Sequence, residues 1–201
     1  MTWLKIVVKY FGHLVFWMLN RPKVYFYRSI SYGHVIGALK RNQAVLIVGR
    51  GEIEFDKQVT IGVFPSPFYF SSCSYLEARN IGSKISIGRE TTINNGFVAI
   101  ADHTSIDIGQ RVLIGTNVEI CDSDFHGLNV VERKLSKKEK SKPVKIQDDV
   151  FIGSNVRICK GVTIGRGSVI ANSSVVIRDV PENSIAGGNP ATIIKKLDER
   201  S

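Results

Sequence analysis

No aspartate or glutamate precedes Glu52, although Lys5, Lys9, Arg21, Lys23, Arg28, Lys40, Arg41 and Arg50 all do. The first 51 residues therefore hold +8 of the chain's formal +9, and the remaining 150 are nearly neutral. Cysteine is scarce: Cys73, Cys121 and Cys159 form no CxxC pair, which argues against a disulfide framework or a zinc ribbon. Small buried thiols in a reducing, cytosol-like compartment are the expectation. No clean membrane span is present, because Lys5, Lys9 and His13 punctuate the apolar run WLKIVVKYFGHLVFWML at residues 3–19. No small-residue cleavage site follows that run; Asn20-Arg21-Pro22 does. The basic run at residues 132–142 lacks interleaved aromatics and any nucleic-acid motif, so nucleic acid is not an expected partner.

What the chain does have is a six-residue pulse. From Ile146 one phase holds through Ile152-Gly153, Ile158-Cys159, Ile164-Gly165, Ile170-Ala171 and Val176-Ile177. Four positions after each aliphatic stands a small or β-branched residue: Val150, Val156, Val162, Ser168, Ser174 and Val180. The same pulse appears in other phases at Ile81, Ile87 and Ile93, then at Ile108, Ile114 and Ile120. A helix needs a period near 3.6 and an ordinary strand a period of 2, so neither accounts for it. A hexapeptide repeat specifies a parallel β-helix, in which one aliphatic per short strand enters a shared core. The small residue beside it marks a sharp bend.

Three segments follow. Residues 1–43 form a basic, aromatic amino-terminal segment, expected to be helical over 3–19, and carry half of the chain's aromatics. That mixture suits a helix lying at an anionic membrane interface. Packing on the column or on a neighbouring subunit, or a true anchor, are the alternatives. Residues 44–188 form the β-helix, with Ile53, Phe55, Val59 and Ile61 as core of its first coil. Two stretches break the pulse: 63–80, which contains Pro65 and Pro67, and an excursion at 123–144. A loop as long as the second is usually functional or disordered. Its basic run, with Arg133, Lys134, Lys137, Lys138, Lys140 and Lys142, can attract acidic glycan or phosphate. A short helix is expected at about 191–199, within a tail of 189–201.

Three stretches carry a family resemblance: INNGFVAIADHTSIDIG (93–109), VLIGTNVEICDSDFHG (112–127), and residues 144–197 with the closing GGNPATIIKKL. They resemble the hexapeptide-repeat acyltransferases of the maltose and galactoside acetyltransferase group, which includes O-acetyltransferases of surface-polysaccharide synthesis. The resemblance implies a left-handed parallel β-helix, usually a homotrimer, with acetyl-CoA and the acceptor meeting between subunits and no metal required. His126 matches the catalytic histidine, the general base that takes a proton from a sugar hydroxyl as it attacks the thioester. Asp122 and Asp124 precede it, and either can orient the ring; Asp124 is also a substrate-side candidate. Asn95 matches the acceptor-side asparagine, with Asn94 as its competitor, and Asp102 lands near the same cleft. The 31 residues between Asn95 and His126 approach two coils of 18, which puts both on a similar side of the column.

For CoA, the resemblance marks Gly153, Ser154 and Asn172 beside the pantetheine arm and Phe151 as an aromatic bordering it. Arg178 and Lys195 match positions that meet nucleotide phosphates, with Lys196 adjacent; Thr192 stands where some relatives carry arginine. The implied activity is acetyl transfer from acetyl-CoA to a hydroxyl of a sugar or glycan, and the expected location is cytoplasmic, with peripheral contact at the inner face of the membrane through residues 1–43. Two alternatives remain: a γ-class carbonic anhydrase and a non-catalytic β-helix scaffold. The first needs three imidazoles around zinc, and only His103 and His126 lie on the repeats.

Overall fold

A computed structural model describes residues 15, 18, 20–127, 129–134 and 138–197. Most of the helix expected at 3–19 lies outside these residues; positions 15 and 18 are helical, as are 20–29. Coil one comprises β1 (His34–Arg41) and β2 (Val45–Gly49), and coil two comprises β3 (Glu52–Ile61) and β4 (Ser74–Ala78). Coil three comprises β5 (Lys84–Ile87), β6 (Thr92–Ile93) and β7 (Val98–Ala101). Coil four follows with β8 (Ser105–Ile108), β9 (Leu113–Ile114) and β10 (Glu119–Cys121). Coil five holds β11 (Val144–Ile146), β12 (Phe151–Ile152) and β13 (Arg157–Ile158). Coil six holds β14 (Thr163–Ile164), β15 (Val169–Ile170) and β16 (Val175–Val176). A hairpin of β17 (Ser184–Gly188) and β18 (Ala191–Lys196) ends the described chain.

Parallel pairing stacks these coils into three sheets. The first sheet runs from the front half of β3 through β5, β8 and β11 to β14, and the second from the back half of β3 through β6, β9, β12 and β15 to β17. The third runs β2-β4-β7-β10-β13-β16. Inward aliphatics stack in register, as Ile61, Ile93, Ile114, Ile152 and Ile170 do in the second sheet, all essentially buried. Each contributes about 1.5–3 kcal/mol of burial. The small residue after each aliphatic has a direct cause. A Cβ on Gly109 would come within 2.5 Å of Asp148, and one on Gly165 within 2.4 Å of the Glu182 backbone, in the next coil. At these corners one residue per turn, such as Asn117, Asp149, Asn155 or Ser173, takes a positive φ. Asn and Asp tolerate that geometry better than most residues.

Several expectations are corrected. The tail at 191–196 is a strand, not a helix: β18 pairs antiparallel with β17 after a two-residue turn at Asn189-Pro190. The amino-terminal 1–43 is not wholly helical, because β1 pairs with β3 and supplies a coil ahead of residue 44. Within 63–80 only the first part is irregular, since β4 is a regular strand between β2 and β7. Ile81 is 83% exposed in the turn after β4, so it is not a core aliphatic. The long excursion holds two 3₁₀ turns, Val130–Glu132 and Lys138–Lys140, and β11 re-enters in register with β8 behind it.

Candidate active site

The third sheet has two edges, and the expected site residues divide between them. At the edge shared with the second sheet, Asn95, Thr116, Ser154 and Asn172 follow the strands in equivalent positions. Here side chains build the corner. The Thr116 N–H donates to Ser154 Oγ at 3.2 Å, and the Ser154 N–H donates to Asn172 Oδ1 at 2.8 Å. Gly153 is obligatory, because a Cβ there would meet Asn172 Oδ1 at 2.4 Å and the Ile170 carbonyl at 2.9 Å. Asn172 faces solvent beside this ladder, and Phe151 projects outward from the second sheet.

Asn95 sits on the same edge but is fully buried. Its Nδ2 donates to the carbonyls of Val63 and Pro67 at 3.0 and 2.8 Å, and its Oδ1 accepts from Val63 N–H at 3.2 Å. The amide thus pins the 63–68 loop and is not presented to a cleft. Asn94 accepts from the Asn95 N–H through its Oδ1 at 2.8 Å. We expect Asn95→Ala to cost about 2–3 kcal/mol in urea unfolding and to make the 63–73 loop more susceptible to protease. An unchanged unfolding curve with a raised KM for the acceptor alone would instead put the side chain on the substrate.

The opposite edge, shared with the first sheet, carries Asp102, Asp122, Asp124, His126, Lys160 and Arg178. Asn95 and His126 therefore flank the third sheet on opposite sides, contrary to the coil count. Asp122 is fully buried, and its carboxylate accepts from the N–H groups of Asp102 (2.7 Å), His103 (3.2 Å) and Thr104 (2.7 Å) and from the Thr104 hydroxyl (2.8 Å). Asp124 accepts from Lys160 Nζ, which also donates to the Lys140 carbonyl at 2.7 Å and so ties the corner to the excursion. Asp102, also buried, accepts from Asn80 Nδ2 at 3.1 Å and lies 3.6 Å from Arg79 and 3.8 Å from His103.

The contact that orients His126 is a backbone one. Its Nδ1 lies 2.6 Å from the Arg133 carbonyl oxygen. A carbonyl only accepts, so Nδ1 carries the proton and the neutral ring keeps its lone pair on Nε2. The His126 N–H donates to the Asp124 carbonyl at 2.6 Å across Phe125, whose φ of 59° makes this a γ-turn of the strained kind. The Arg79 guanidinium lies 4.7 Å from the centroid of the Phe125 ring and forks onto Glu77 at 2.9 and 3.0 Å. Gly127 closes the turn: a Cβ there would meet Glu132 Cβ at 2.3 Å.

The Tyr75 hydroxyl donates to Glu77 at 3.0 Å and completes a buttress of Tyr75, Glu77, Arg79 and Phe125 that the hexads do not mark. The period-2 alternation of Tyr75, Glu77 and Arg79 was its one available signal. Burial and the neighbouring Glu77 push the Tyr75 hydroxyl up to about 12. Cys121 and Cys159 are register neighbours on the third sheet, and burial followed by Glu119 pushes the Cys121 thiol up to about 12, with Cys159 shifted the same way. Neither thiol is a ready nucleophile at neutral pH. Among the described residues no three histidine, cysteine or carboxylate groups converge as metal ligands. Arg178 and Lys195 are both exposed, the first just past β16 and the second on β18.

Known proteins resemble this chain in sequence and fold. Residues 143–178 match the family described as "Bacterial transferase hexapeptide (six repeats)". The chain is 37% identical over 136 residues to the galactoside O-acetyltransferase of Escherichia coli (strain K12), covering 67% of this chain and 60% of that protein. The crystal structure of the polySia-specific acetyltransferase NeuO superposes with a TM-score of 0.66 at 30% identity, covering 83% of this chain and 73% of NeuO. A galactoside acetyltransferase in complex with coenzyme A superposes with a TM-score of 0.50 at 28% identity, covering 81% of this chain and 66% of that one. The chain spans 57–64% of the length of three curated relatives it matches. The repeats and the likeness to NeuO make the column a left-handed parallel β-helix, an exception to the right-handed rule for parallel crossovers. With its hexads, its stacked corners and 30% identity to NeuO over 73% of that chain, the chain belongs to the hexapeptide-repeat acetyltransferase family.

Proposed function

We propose that this chain transfers the acetyl group of acetyl-CoA to a hydroxyl of a sugar, in a surface polysaccharide or its lipid-linked precursor. The observation that carries the reading is the Nδ1–H bond from His126 to the Arg133 carbonyl, which reserves Nε2 as a base. In the proposed step, Nε2 takes the hydroxyl proton as the sugar oxygen bonds to the acetyl carbonyl carbon. A backbone N–H stabilises the developing oxyanion. The carbon–sulfur bond then breaks, and the imidazolium proton passes to the departing CoA thiolate. Asn95 serves the acceptor side indirectly in this scheme, by fixing the 63–68 loop. Asp102 and Asp124 shape the floor and wall of the corner that presents the histidine.

The donor is proposed to lie along the edge built by Gly153, Ser154 and Asn172, with Phe151 beside it. The small side chains leave backbone groups open to pantetheine amides; Lys195, on β18, would supply a cation for the phosphates, and Arg178, on the His126 edge, would do so from the adjoining copy. In one column this edge and His126 lie on opposite sides of the third sheet. A homotrimer that sets one edge of each copy against the other edge of the next would bring them together, which supports a shared site. We expect Arg178→Ala and Lys195→Ala each to raise the apparent KM for acetyl-CoA about tenfold with little change in the sugar constant. A sugar-side defect in both variants would place the donor on the wrong edge. The activity itself is tested by release of free thiol from acetyl-CoA across a panel of neutral and acidic glycans. No thiol release with any of them would overturn the reading.

A further inference from the structure

The amino-terminal end of the column carries an exposed aromatic surface. Helix 20–29 turns one side inward: Asn20 and Val24 are buried, and Lys23 and Tyr27 are half-buried. Asn20 Nδ2 donates to the Asn42 carbonyl at 3.0 Å and the Tyr69 hydroxyl at 2.9 Å, and Lys23 Nζ donates to the carbonyls of Phe70 and Ser72 at 2.9 and 3.0 Å. These bonds fasten the helix to the 63–73 loop, so the two form one unit. A surface helix normally presents charge on its outer face. This one presents Tyr25 and Phe26 at 61% and 59% exposure between exposed Arg21 and Arg28, and Met18 ahead of it is 65% exposed.

The loop continues the pattern. Phe64, Phe68 and Phe70 are all more than two-fifths exposed, with Phe64 and Phe70 packed around the Tyr69 ring at centroid distances of 5.2 Å. Phe68 holds a φ of 65°, costly for a bulky side chain and kept only where its surroundings impose it. Here they do. The fully buried Gln43 donates to the Phe68 and Tyr69 carbonyls at 3.0 and 3.2 Å, and buried Asn95 holds the adjoining Pro67 carbonyl at 2.8 Å. Two buried amides thus keep a group of phenylalanines at the surface. The same end of the chain has no acidic residue before Glu52. Arg41 sits half-buried there, its Nε without a hydrogen-bond partner, and Arg28 lies close enough to repel it.

We propose that helix 20–29 and the aromatic loop 63–73 form a single platform that seats the amino-terminal end of the column on an anionic phospholipid surface. Aromatic and apolar side chains enter the headgroup boundary while the acid-free basic stretch meets lipid phosphates. No helix among the described residues is long and apolar enough to cross a membrane. The proposal extends the interfacial role expected of the amino-terminal segment to a second, distant part of the sequence, and it does not depend on the acetyl-transfer reading.

Sedimentation of the full chain with vesicles tests it without measuring turnover. The chain should pellet with phosphatidylglycerol vesicles in low salt, stay in solution with phosphatidylcholine, and be released by high salt. Phe64→Ser/Phe68→Ser and Tyr25→Ser/Phe26→Ser should each weaken the association about tenfold or more, because each removes apolar area from the contact. Both variants must keep the wild-type circular dichroism and melting curve. A loop variant that pellets like the wild type overturns the two-part platform. Equal pelleting with phosphatidylcholine overturns the anionic requirement. Failure to pellet, with the variants dissociating to smaller species in solution, would assign the surface to contact between copies and overturn the proposal.

Discussion

Replacing His126 with alanine is expected to lower turnover by about two to four orders of magnitude, with CoA binding nearly unchanged. A sugar hydroxyl is a poor nucleophile while protonated, and among the described residues no other imidazole is held like this one. His103 lies on the same edge, but its Nε2 is 3.8 Å from the buried Asp102 carboxylate and it sits in the turn organised by Asp122. The donor edge is built from Gly153, Ser154 and Asn172 without His126, so the constant for acetyl-CoA has no reason to move. Steady-state thiol release and equilibrium binding of CoA to the same variant check both halves. Retention of more than about a tenth of the activity would remove His126 from the role of base. The Arg133 contact is made by the main chain, so Arg133→Ala should leave the tautomer and most of the turnover in place. A loss comparable to that of His126→Ala would show that the side chain, not its carbonyl, matters.

The hexads made the column legible because burial enforces them. Every sixth aliphatic from Ile146 to Val176 is essentially buried, and the glycines beside them face the backbone of the next coil. Features fixed by pairing across coils were harder to see. Coil length is not constant: Ile85 and Ile106 are register partners across 21 residues, while Ile146 and Ile164 are partners across 18. The 31 residues from Asn95 to His126 also fall five short of two 18-residue coils, nearly one six-residue edge, so the coil count put His126 on the wrong edge. The carboxyl-terminal strand had a signal that was passed over, since β-branched Thr192, Ile193 and Ile194 follow a two-residue break after β17. The identity of His126 as a candidate was visible, but the partner of its ring was not. A main-chain carbonyl seven residues away, in an excursion without periodicity, leaves no mark in residue types.

The second large effect is expected at Asp122, and it is on stability. Its carboxylate is fully buried and gathers three backbone N–H groups and one hydroxyl from residues 102–104, so it ties the end of coil three to the end of coil four. Asparagine is nearly the same size but has a single acceptor oxygen, and its NH₂ would face donors. Asp122→Asn should therefore lower the free energy of unfolding by about 3–5 kcal/mol, since hydrogen bonds to a charge contribute more than neutral ones and buried donors left unmade are costly. That is a large share of the total stability of a domain. Asp124→Asn is the control. Asp124 lies on the solvent side of the same corner and is paired with Lys160 at 47% and 24% side-chain exposure, so its loss should cost less than about 1 kcal/mol. Urea unfolding of both variants at pH 7, followed by circular dichroism, separates the two. Unfolding of Asp122→Asn at the wild-type midpoint, together with a loss of turnover, would overturn this assignment. In that case the carboxylate acts on the chemistry at His126, and the corner is held by something else.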